Sequence, residues 1–350
     1  MTLVQALYDR YRRYRTLQTH HIKALPVAVL MPHSACNCRC VMCDIWKDNK
    51  NLKQLTEQDI LHLLVSFKKL GTRQVLMSGG EALLNPNFFR FCRILQEQGI
   101  RVTLLSTGLT LKKQAENLLQ HVNDIIISLD GDAATHNYIR NIPGAFENLR
   151  EGVQYLKSLR PSFRITARTV IHKINFRNWP SIIRSAMEMG IDQVSFLPAD
   201  VSSRAFNREE TWSPERQLEI LPEKNELPEL KQVLDTLISD FKASFSNGFI
   251  AERPEKLQRI HTYYAACYGL TPFPYKKCNA PWVSAVIEAD GTVRPCFFHG
   301  PMGNIRDQQL DTILNTEKSL RFRKELDTDK DTTCTKCVCS LHLSPGTRLH

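Results

Sequence analysis

The sequence predicts an α/β protein: a partial (β/α)6 barrel of the TIM type, open on one side, followed by a small cysteine-rich C-terminal domain. Three observations carry this. Six short apolar runs alternate with helix-periodic segments between Ala24 and Leu197, and such alternation implies parallel strands joined by right-handed crossovers. Six units are too few to close an eight-stranded barrel. Polar and sulfur-bearing residues follow the strands, where a barrel's ligand groups lie. Beyond Ala199 the alternation stops, and a second set of cysteines begins at Cys278.

Residues 1–23 predict an N-terminal helix. In it Arg10, Arg12, Arg13 and Arg15 alternate with Tyr8, Tyr11 and Tyr14, and the expected arrangement is a solvated basic face with the tyrosines packed inward. The barrel core spans residues 24–200. Ala24–Leu30 is a short apolar run fit for a buried first strand. Leu55–Leu70 has helical periodicity, with Thr56 and Asp59 as its N-terminal cap. Then come a strand over Gln74–Met77, a helix over Asn87–Gln98 ended by Gly99, a strand over Arg101–Leu105 and a helix over Leu111–His121. A strand over Asp124–Leu129, a helix over Ala145–Leu159, and a strand over Phe163–Ile171 follow. The helix over Trp179–Met189 is closed by Gly190, and Gln193–Leu197 is the last strand. Residues 201–270 read as barrel flank and connection. Pro214, Pro222, Pro228 and Pro254 punctuate them, and Leu230–Phe245 is their one clear amphipathic helix. Residues 271–350 form the cysteine-rich domain.

The chain has 350 residues and 42% hydrophobic content, enough for one large core and a smaller lobe. No apolar run approaches a membrane span, and the N-terminus lacks the apolar core of a secretion signal. Eleven cysteines in such a chain point to metal or redox chemistry in a reducing compartment, so the expected location is the cytoplasm. The formal charge of +10 favours acidic partners, such as a phosphorylated substrate or an acidic peptide. Nucleic acid is less expected, because the arginine–tyrosine run is short and isolated.

The chain is organised around Pro32–Trp46, which reads PHSACNCRCVMCDIW. Cys36, Cys40 and Cys43 are spaced C-x3-C-x2-C. Three thiolates on one loop can hold three irons of a [4Fe–4S] cube and leave the fourth open. A disulfide framework suits a secreted mini-protein instead, and three cysteines close a structural zinc site poorly. Cys38 lies between them and confuses the count. After the second strand comes Ser78-Gly79-Gly80-Glu81. Gly79 and Gly80 let backbone approach a ligand closely, and Glu81 can accept from the ammonium of a bound amino acid. Ser106 and Thr107 follow the third strand, suited to ribose or carboxylate or to a helix-entry turn. Ser128 and Asp130 follow the fourth. Arg168 lies within the fifth, where it is either a barrel-lumen contact to substrate or cofactor carboxylate, or half of a structural ion pair. Further on, Cys278 and Cys296 flank the Asp290-Gly291 turn, with Asp290 read as a turn residue. Cys334, Cys337 and Cys339 follow as C-x2-C-x-C. A hairpin pair plus a C-x2-C pair fully ligates one cube, and a zinc ribbon uses the same residues. Cys92 reads as a core thiol.

The cysteine triplet together with Ser78–Glu81 resembles the radical S-adenosylmethionine (SAM) enzyme family. The resemblance implies that the open iron binds the amino and carboxylate groups of SAM. Electron transfer then splits SAM into methionine and a 5′-deoxyadenosyl radical, which takes a hydrogen atom from the substrate. It also implies that Gly79, Gly80 and Glu81 receive the methionine amino group, that Ser128 contacts SAM within a segment shared with Asp130, and that Met42 lies against the adenine. Arg140, after Thr135-His136, resembles another family position but reads as a surface or lid residue.

The segment from Cys278 onward resembles the auxiliary-cluster lobes called SPASM and twitch. The full SPASM form holds two clusters, whereas five cysteines here fit the shorter twitch form with one. Cys278, Cys296, Cys334 and Cys337 are the implied ligands, Cys339 the alternative for the last, and Cys267 a further candidate. The function this implies is a radical SAM oxidoreductase. It would dehydrogenate a small molecule, phosphorylated or sugar-like, and pass an electron to the auxiliary cluster; a flavodoxin or ferredoxin would donate the starting electron. Peptide-modifying members commonly carry an N-terminal peptide-binding domain, and only about 23 residues precede the first strand here, which leans towards a small molecule. Two alternatives stand beside it: a radical SAM peptide or protein maturase, and a zinc-containing nucleic-acid-binding protein.

Overall fold

A computed structural model describes residues 3–208 and 210–347. After helix α1 (Leu3–Thr19) the chain alternates β1 (Val27–Leu30), α2 (Glu57–Leu70), β2 (Gln74–Met77), α3 (Phe88–Glu97), β3 (Arg101–Ser106), α4 (Leu111–His121) and β4 (Asp124–Ser128). It continues through α5 (Ala133–Arg140), α6 (Ala145–Leu159), β5 (Arg164–Ile171), α7 (Trp179–Glu188) and β6 (Gln193–Pro198). Strands β1 to β6 lie in sequence order and pair in parallel, the open (β/α)6 barrel expected.

Along β5 the burial alternates. Ile165, Ala167, Thr169 and Ile171 are buried under the helices, while Arg164 and Arg168 are exposed on the other face. One face of the pleat therefore packs on the helix layer and the other faces the open lumen.

Helix α2 shows how the core is tied to the C-terminal region. Thr56 and Asp59 form a reciprocal capping box, and Gly71 ends the helix in the left-handed conformation at φ 65°. Asp59 also takes the Arg306 guanidinium, with Nε at 3.2 Å and Nη2 at 3.0 Å. Burial alone would raise the Asp59 carboxyl, but the Arg306 and Thr56 donors outweigh it and hold it below its ordinary 3.8. The stabilisation from a depressed carboxyl is complete above the ordinary value and is lost as pH falls through the lowered one. Asp59→Ala should cost about 1–2 kcal/mol at pH 7 by urea unfolding. The gap from wild type should narrow once the pH drops below about 4.

Four findings differ from the sequence reading. First, Tyr8, Tyr11 and Tyr14 are half or more exposed. The inward face of α1 carries Asp9 and Thr16 instead: Asp9 pairs with Arg73 at 2.9 Å, and the Thr16 hydroxyl accepts the Lys23 and Ala24 amides. Polar anchoring orients this helix, together with Leu17, which packs against the apolar cluster of Val27, Trp282, Val283 and Leu343. Second, residues 201–270 hold more than one substantial helix: after α8 (Pro214–Leu218), α9 (Leu227–Asp240) and α10 (Lys242–Ser246) comes α11 (Pro254–Cys267). Pro254 opens that helix, where its missing N–H costs nothing. Buried Tyr264 accepts the Ala199 amide at 2.9 Å and donates to the Ile171 carbonyl. Third, α5 fills the stretch after β4, capped by the Asp132 side chain on the Thr135 amide. Fourth, the C-terminal hairpin is joined to the barrel. After α12 (Ala280–Val283), β7 (Ser284–Ile287) pairs in parallel with β1, and β8 (Thr292–Arg294) and β9 (Gly303–Asn304) follow antiparallel. One sheet of nine strands, ordered β6-β5-β4-β3-β2-β1-β7-β8-β9, thus joins the barrel to the C-terminal hairpin. Among the described residues no helix is long and apolar enough to cross a membrane.

Candidate active site

Cys36, Cys40 and Cys43 lie on the loop between β1 and α2. The loop is pinned from three sides. The Arg39 and Val41 amides donate to the Arg140 and Ile139 carbonyls at 3.1 and 3.0 Å. Asn49 exchanges two hydrogen bonds with the Cys36 backbone, at 3.0 and 2.9 Å. Asp200, Arg208, Trp212 and Arg216 close over the far end: Trp212 Nε1 donates to Asp44 at 2.5 Å, Arg208 stacks 3.9 Å from the Trp212 ring and pairs with Asp200, and Arg216 donates to the Val41 carbonyl. Nothing in the sequence marks this segment as a brace; Trp212 and Arg208 fall within the flank.

All eleven cysteines are free. The Cys38 amide donates to Cys36 Sγ at 3.5 Å. Hydrogen bonding from Cys38 lowers Cys36, and lowers Cys40 to about 6 against the opposing effect of burial, with Arg140 assisting. The same bonds, and burial, hold Cys38 up as a thiol, the state of a spare donor. Burial pushes Cys43 up to about 12. Three soft donors on one pinned loop, none of them in a disulfide, fit a [4Fe–4S] cube with one open iron.

The Gly-Gly-Glu segment closes directly on this loop. The Glu81 amide donates to the Ala35 carbonyl at 2.9 Å. A Cβ on Gly80 would lie 2.1 Å from that same oxygen, and Gly79 has φ +109°. The Glu81 side chain differs from expectation. Its carboxylate is not open to an incoming ammonium but accepts from the Thr107 amide (2.8 Å), the Thr107 hydroxyl (2.7 Å), the Ser106 hydroxyl (3.0 Å) and the Leu83 amide (3.2 Å). Burial pushes the carboxyl up, and these donors oppose it without cancelling it. Ser106 and Thr107 are thus turned towards Glu81 and not towards ribose. Thr107 also sits 3.0 Å from the Asn37 amide oxygen, so Glu81 joins the ends of β2 and β3 to the cysteine loop.

Asp130 and Arg140 also differ from the sequence reading. Asp130 is fully buried and pairs with Arg140, which is 6% exposed and neither a surface nor a lid residue. Arg140 Nη1 reaches Cys40 Sγ at 3.4 Å. The reason is local. The cap on α5 turns the chain back beneath the cysteine loop, so the last residue of that helix points inward. Around the pair, His136 accepts the Asp130 amide and Asn175 donates to its carbonyl. Burial, then the Arg140 charge, lowers His136 and His172 to about 3, so both are neutral.

Half-buried Ser128 stands at the end of β4 in register with Arg168 on β5, and Met42 packs half-buried against the core. Arg168 is exposed; its carbonyl accepts the Leu129 amide at 3.3 Å, but no described residue gives its side chain a hydrogen bond or ion pair, and the ion-pair alternative falls. It lines a hollow of about 180 Å³ with Glu252, Lys256, Arg259, Lys276 and Cys339. A larger groove of about 1310 Å³ runs between the cysteine loop and the hairpin, past Gly79, Gly80, Phe206, Phe298 and His299.

The C-terminal cysteines converge. Lys276, its charge disfavoured by burial, feels the sulfurs of Cys337, Cys339, Cys334 and Cys278. Burial raises Cys296 to about 11, with Cys278 and Cys339 adding to it, and raises Cys334 to about 12. Cys337 and Cys339 both face this group, and Cys339 looks into the hollow beside Arg168. These five cysteines influence one another's charge across the lobe, and four thiolates suffice to ligate one cube fully. His299 was missed: its Nε2 lies 3.3 Å from Cys334 Sγ and it groups with Asp331. Its place three residues after Cys296 was the available signal.

Residues 30–186 match the Radical SAM superfamily, so the barrel is a radical SAM domain and the chain belongs to that superfamily. Residues 278–338 match an iron-sulfur cluster-binding domain, SPASM; the chain is a radical SAM protein with a SPASM-type lobe, whose cofactors are SAM and [4Fe–4S] clusters, an auxiliary one included. This assignment displaces the zinc-containing nucleic-acid-binding alternative. An AdoMet-dependent heme synthase of Methanosarcina barkeri (strain Fusaro / DSM 804) is 29% identical over 45% of this chain and 46% of its own. The sporulation killing factor maturation protein SkfB of Bacillus subtilis (strain 168) is 21% identical over 91% of this chain and 71% of its own. The chain spans about half the length of that heme synthase and of an Fe-coproporphyrin III synthase from the same organism. Streptococcus suis SuiB bound to S-adenosylmethionine superposes with a TM-score of 0.63 at 13% identity, over 95% of this chain and 76% of its own; that likeness shows the fold.

Proposed function

We propose that this chain is a radical SAM oxidoreductase acting on an anionic small molecule. Cys36, Cys40 and Cys43 hold the SAM-binding cluster, and Gly79, Gly80 and Ser128 border SAM. Cys278, Cys296, Cys334 and Cys337 hold the auxiliary cluster, with Cys339 as the alternative fourth ligand. Bound together, SAM and its cluster supply hydrogen-atom abstraction, and the auxiliary cluster supplies a sink for one electron, which makes the overall reaction a net oxidation. Arg168 is the observation that carries the substrate reading. Among the described residues its side chain has no ion pair, and it faces the lumen in a hollow where Lys256, Arg259 and Lys276 outnumber the single carboxylate of Glu252. Such a hollow suits a carboxylate or phosphate on the substrate, and it sets that substrate beside Cys339. The starting electron comes from a flavodoxin- or ferredoxin-type donor in a reducing, cytoplasmic setting.

Two observations favour peptide maturation as the second reading. The groove of about 1310 Å³ exceeds the roughly 300–1,000 Å³ of a small-ligand pocket, and SkfB is by name a maturation protein. Tight, saturable binding of a short precursor peptide would select it.

The class is tested by 5′-deoxyadenosine and methionine released from SAM by the anaerobically reconstituted, dithionite-reduced chain. Release should fall at least about 100-fold in C36A/C40A/C43A, since the electron source is removed. Equal release from both proteins would refute it.

A further inference from the structure

Arg140 does more than neutralise Asp130. A buried carboxylate needs a cation, but that cation need not touch a cluster ligand. Here one nitrogen of the guanidinium pairs with Asp130 while another, Nη1, lies 3.4 Å from Cys40 Sγ. Both residues are buried, so their charges act through protein and not through water. The neighbouring histidines, His136 and His172, are neutral and buried. Arg208 faces Cys43 and is bound to Asp200, and Arg216 donates to the Val41 carbonyl and pairs with Glu219. Arg140 is therefore the cation that reaches the Cys40 sulfur.

One-electron reduction of a [4Fe–4S] cube adds one negative charge, spread over its irons and sulfurs, with no bond made or broken. A positive N–H donor on a ligand sulfur stabilises the more negative, reduced form, and hydrogen bonds to sulfur are among the levers a protein has over cluster potential. Asp130 works in the opposite sense by cancelling part of the guanidinium charge.

We infer that the Asp130–Arg140 pair sets the reduction potential of the cluster on the Cys36–Cys43 loop, Arg140 raising it through Cys40 Sγ and Asp130 moderating the rise. This rests on Cys40 being a ligand of that cluster. Arg140 is a positioning and tuning residue and need not touch SAM or substrate.

The test is a potentiometric titration of the reconstituted full chain with dithionite and mediators. It follows the electron paramagnetic resonance signal that changes when SAM is added, which reports the cluster with the open iron. In R140Q the equilibrium constant for one-electron reduction should fall about tenfold, which is about 59 mV for a one-electron couple. D130N should move it the other way. The double variant D130N/R140Q, which leaves a neutral pair, should titrate below D130N. Variants that keep their iron yet titrate within twofold of wild type, or shift in the same direction, overturn the inference. If R140Q alone loses iron, the comparison of D130N with the double variant decides. If the double variant loses iron too, the pair is a folding element and the inference fails. A C40A variant that keeps the SAM-sensitive signal would instead remove Cys40 from the ligand set, a failure distinct from any result at Arg140.

Discussion

Gly80→Ala should slow SAM cleavage at least about 100-fold. The added Cβ would sit 2.1 Å from the Ala35 carbonyl oxygen, 2.6 Å from its carbon and 3.0 Å from the Cys36 nitrogen. These are backbone atoms, which cannot swing aside as a side-chain tip can. Restoring van der Waals distance requires a shift of about 1 Å in the Ala35–Cys36 backbone or in the Gly-Gly-Glu turn. The hydrogen bond from the Glu81 amide to Ala35 couples the two, so Cys36 moves relative to Cys40 and Cys43. Overpacking of this kind costs about 1–3 kcal/mol, and a misplacement of about 1 Å at a catalytic constellation costs about 100-fold in rate. The measurement is 5′-deoxyadenosine formation together with iron content. Gly346→Ala, with open space around the new methyl, is the control and should behave as wild type.

Glu81→Ala has the second largest expected effect, and its origin is different. The carboxylate satisfies the Thr107 amide, the Leu83 amide and the Ser106 and Thr107 hydroxyls in a site with no exposure. Removing it leaves several buried donors without an acceptor, each costing about 1–3 kcal/mol. A total loss of about 3–5 kcal/mol is expected by urea unfolding. SAM affinity should fall with it, because the turn that holds Asn37 and the Gly-Gly segment in place is released. Glu81→Gln keeps the shape but sets an amide N–H₂ towards donors, so a smaller loss is expected, about 2 kcal/mol. If Glu81 were only a contact to the SAM ammonium, as the sequence first suggests, Glu81→Ala would weaken SAM binding and leave stability unchanged.

Glu81 marks the boundary of what the sequence made legible. That a glycine pair and an acid follow β2 could be read from spacing and strand order. Which group fills the acid's lone pairs depends on where the end of β3 falls, and that is a tertiary fact. The same division recurs at Arg140. Residues near Thr135-His136 carry no apolar period that would mark their inward face, so a buried guanidinium there looks like a surface one. The strands themselves were readable because each is a short run of apolar side chains between helical segments, the pattern of parallel strands buried beneath helices. The α1 tyrosines show the converse failure. Amphipathic spacing is present, but Asp9 and Thr16 hold the helix by polar bonds and leave the aromatic face outward. Pro254 misled for a related reason: a residue that breaks a helix interior opens a helix equally well. Joining the C-terminal hairpin to β1 could not have been read either, since edge-to-edge pairing of distant strands leaves no local mark.

The central claim is that the chain carries two iron–sulfur cubes, one on each cysteine set. Iron, sulfide and zinc counted after anaerobic reconstitution, in wild type and in C36A/C40A/C43A, test it most directly. Two cubes predict about eight irons in wild type and about four in the variant, with sulfide in proportion. About four irons falling to none, with about one zinc in both proteins, would place zinc in the C-terminal lobe. The proposed electron sink, and the net oxidation built on it, would then be contradicted.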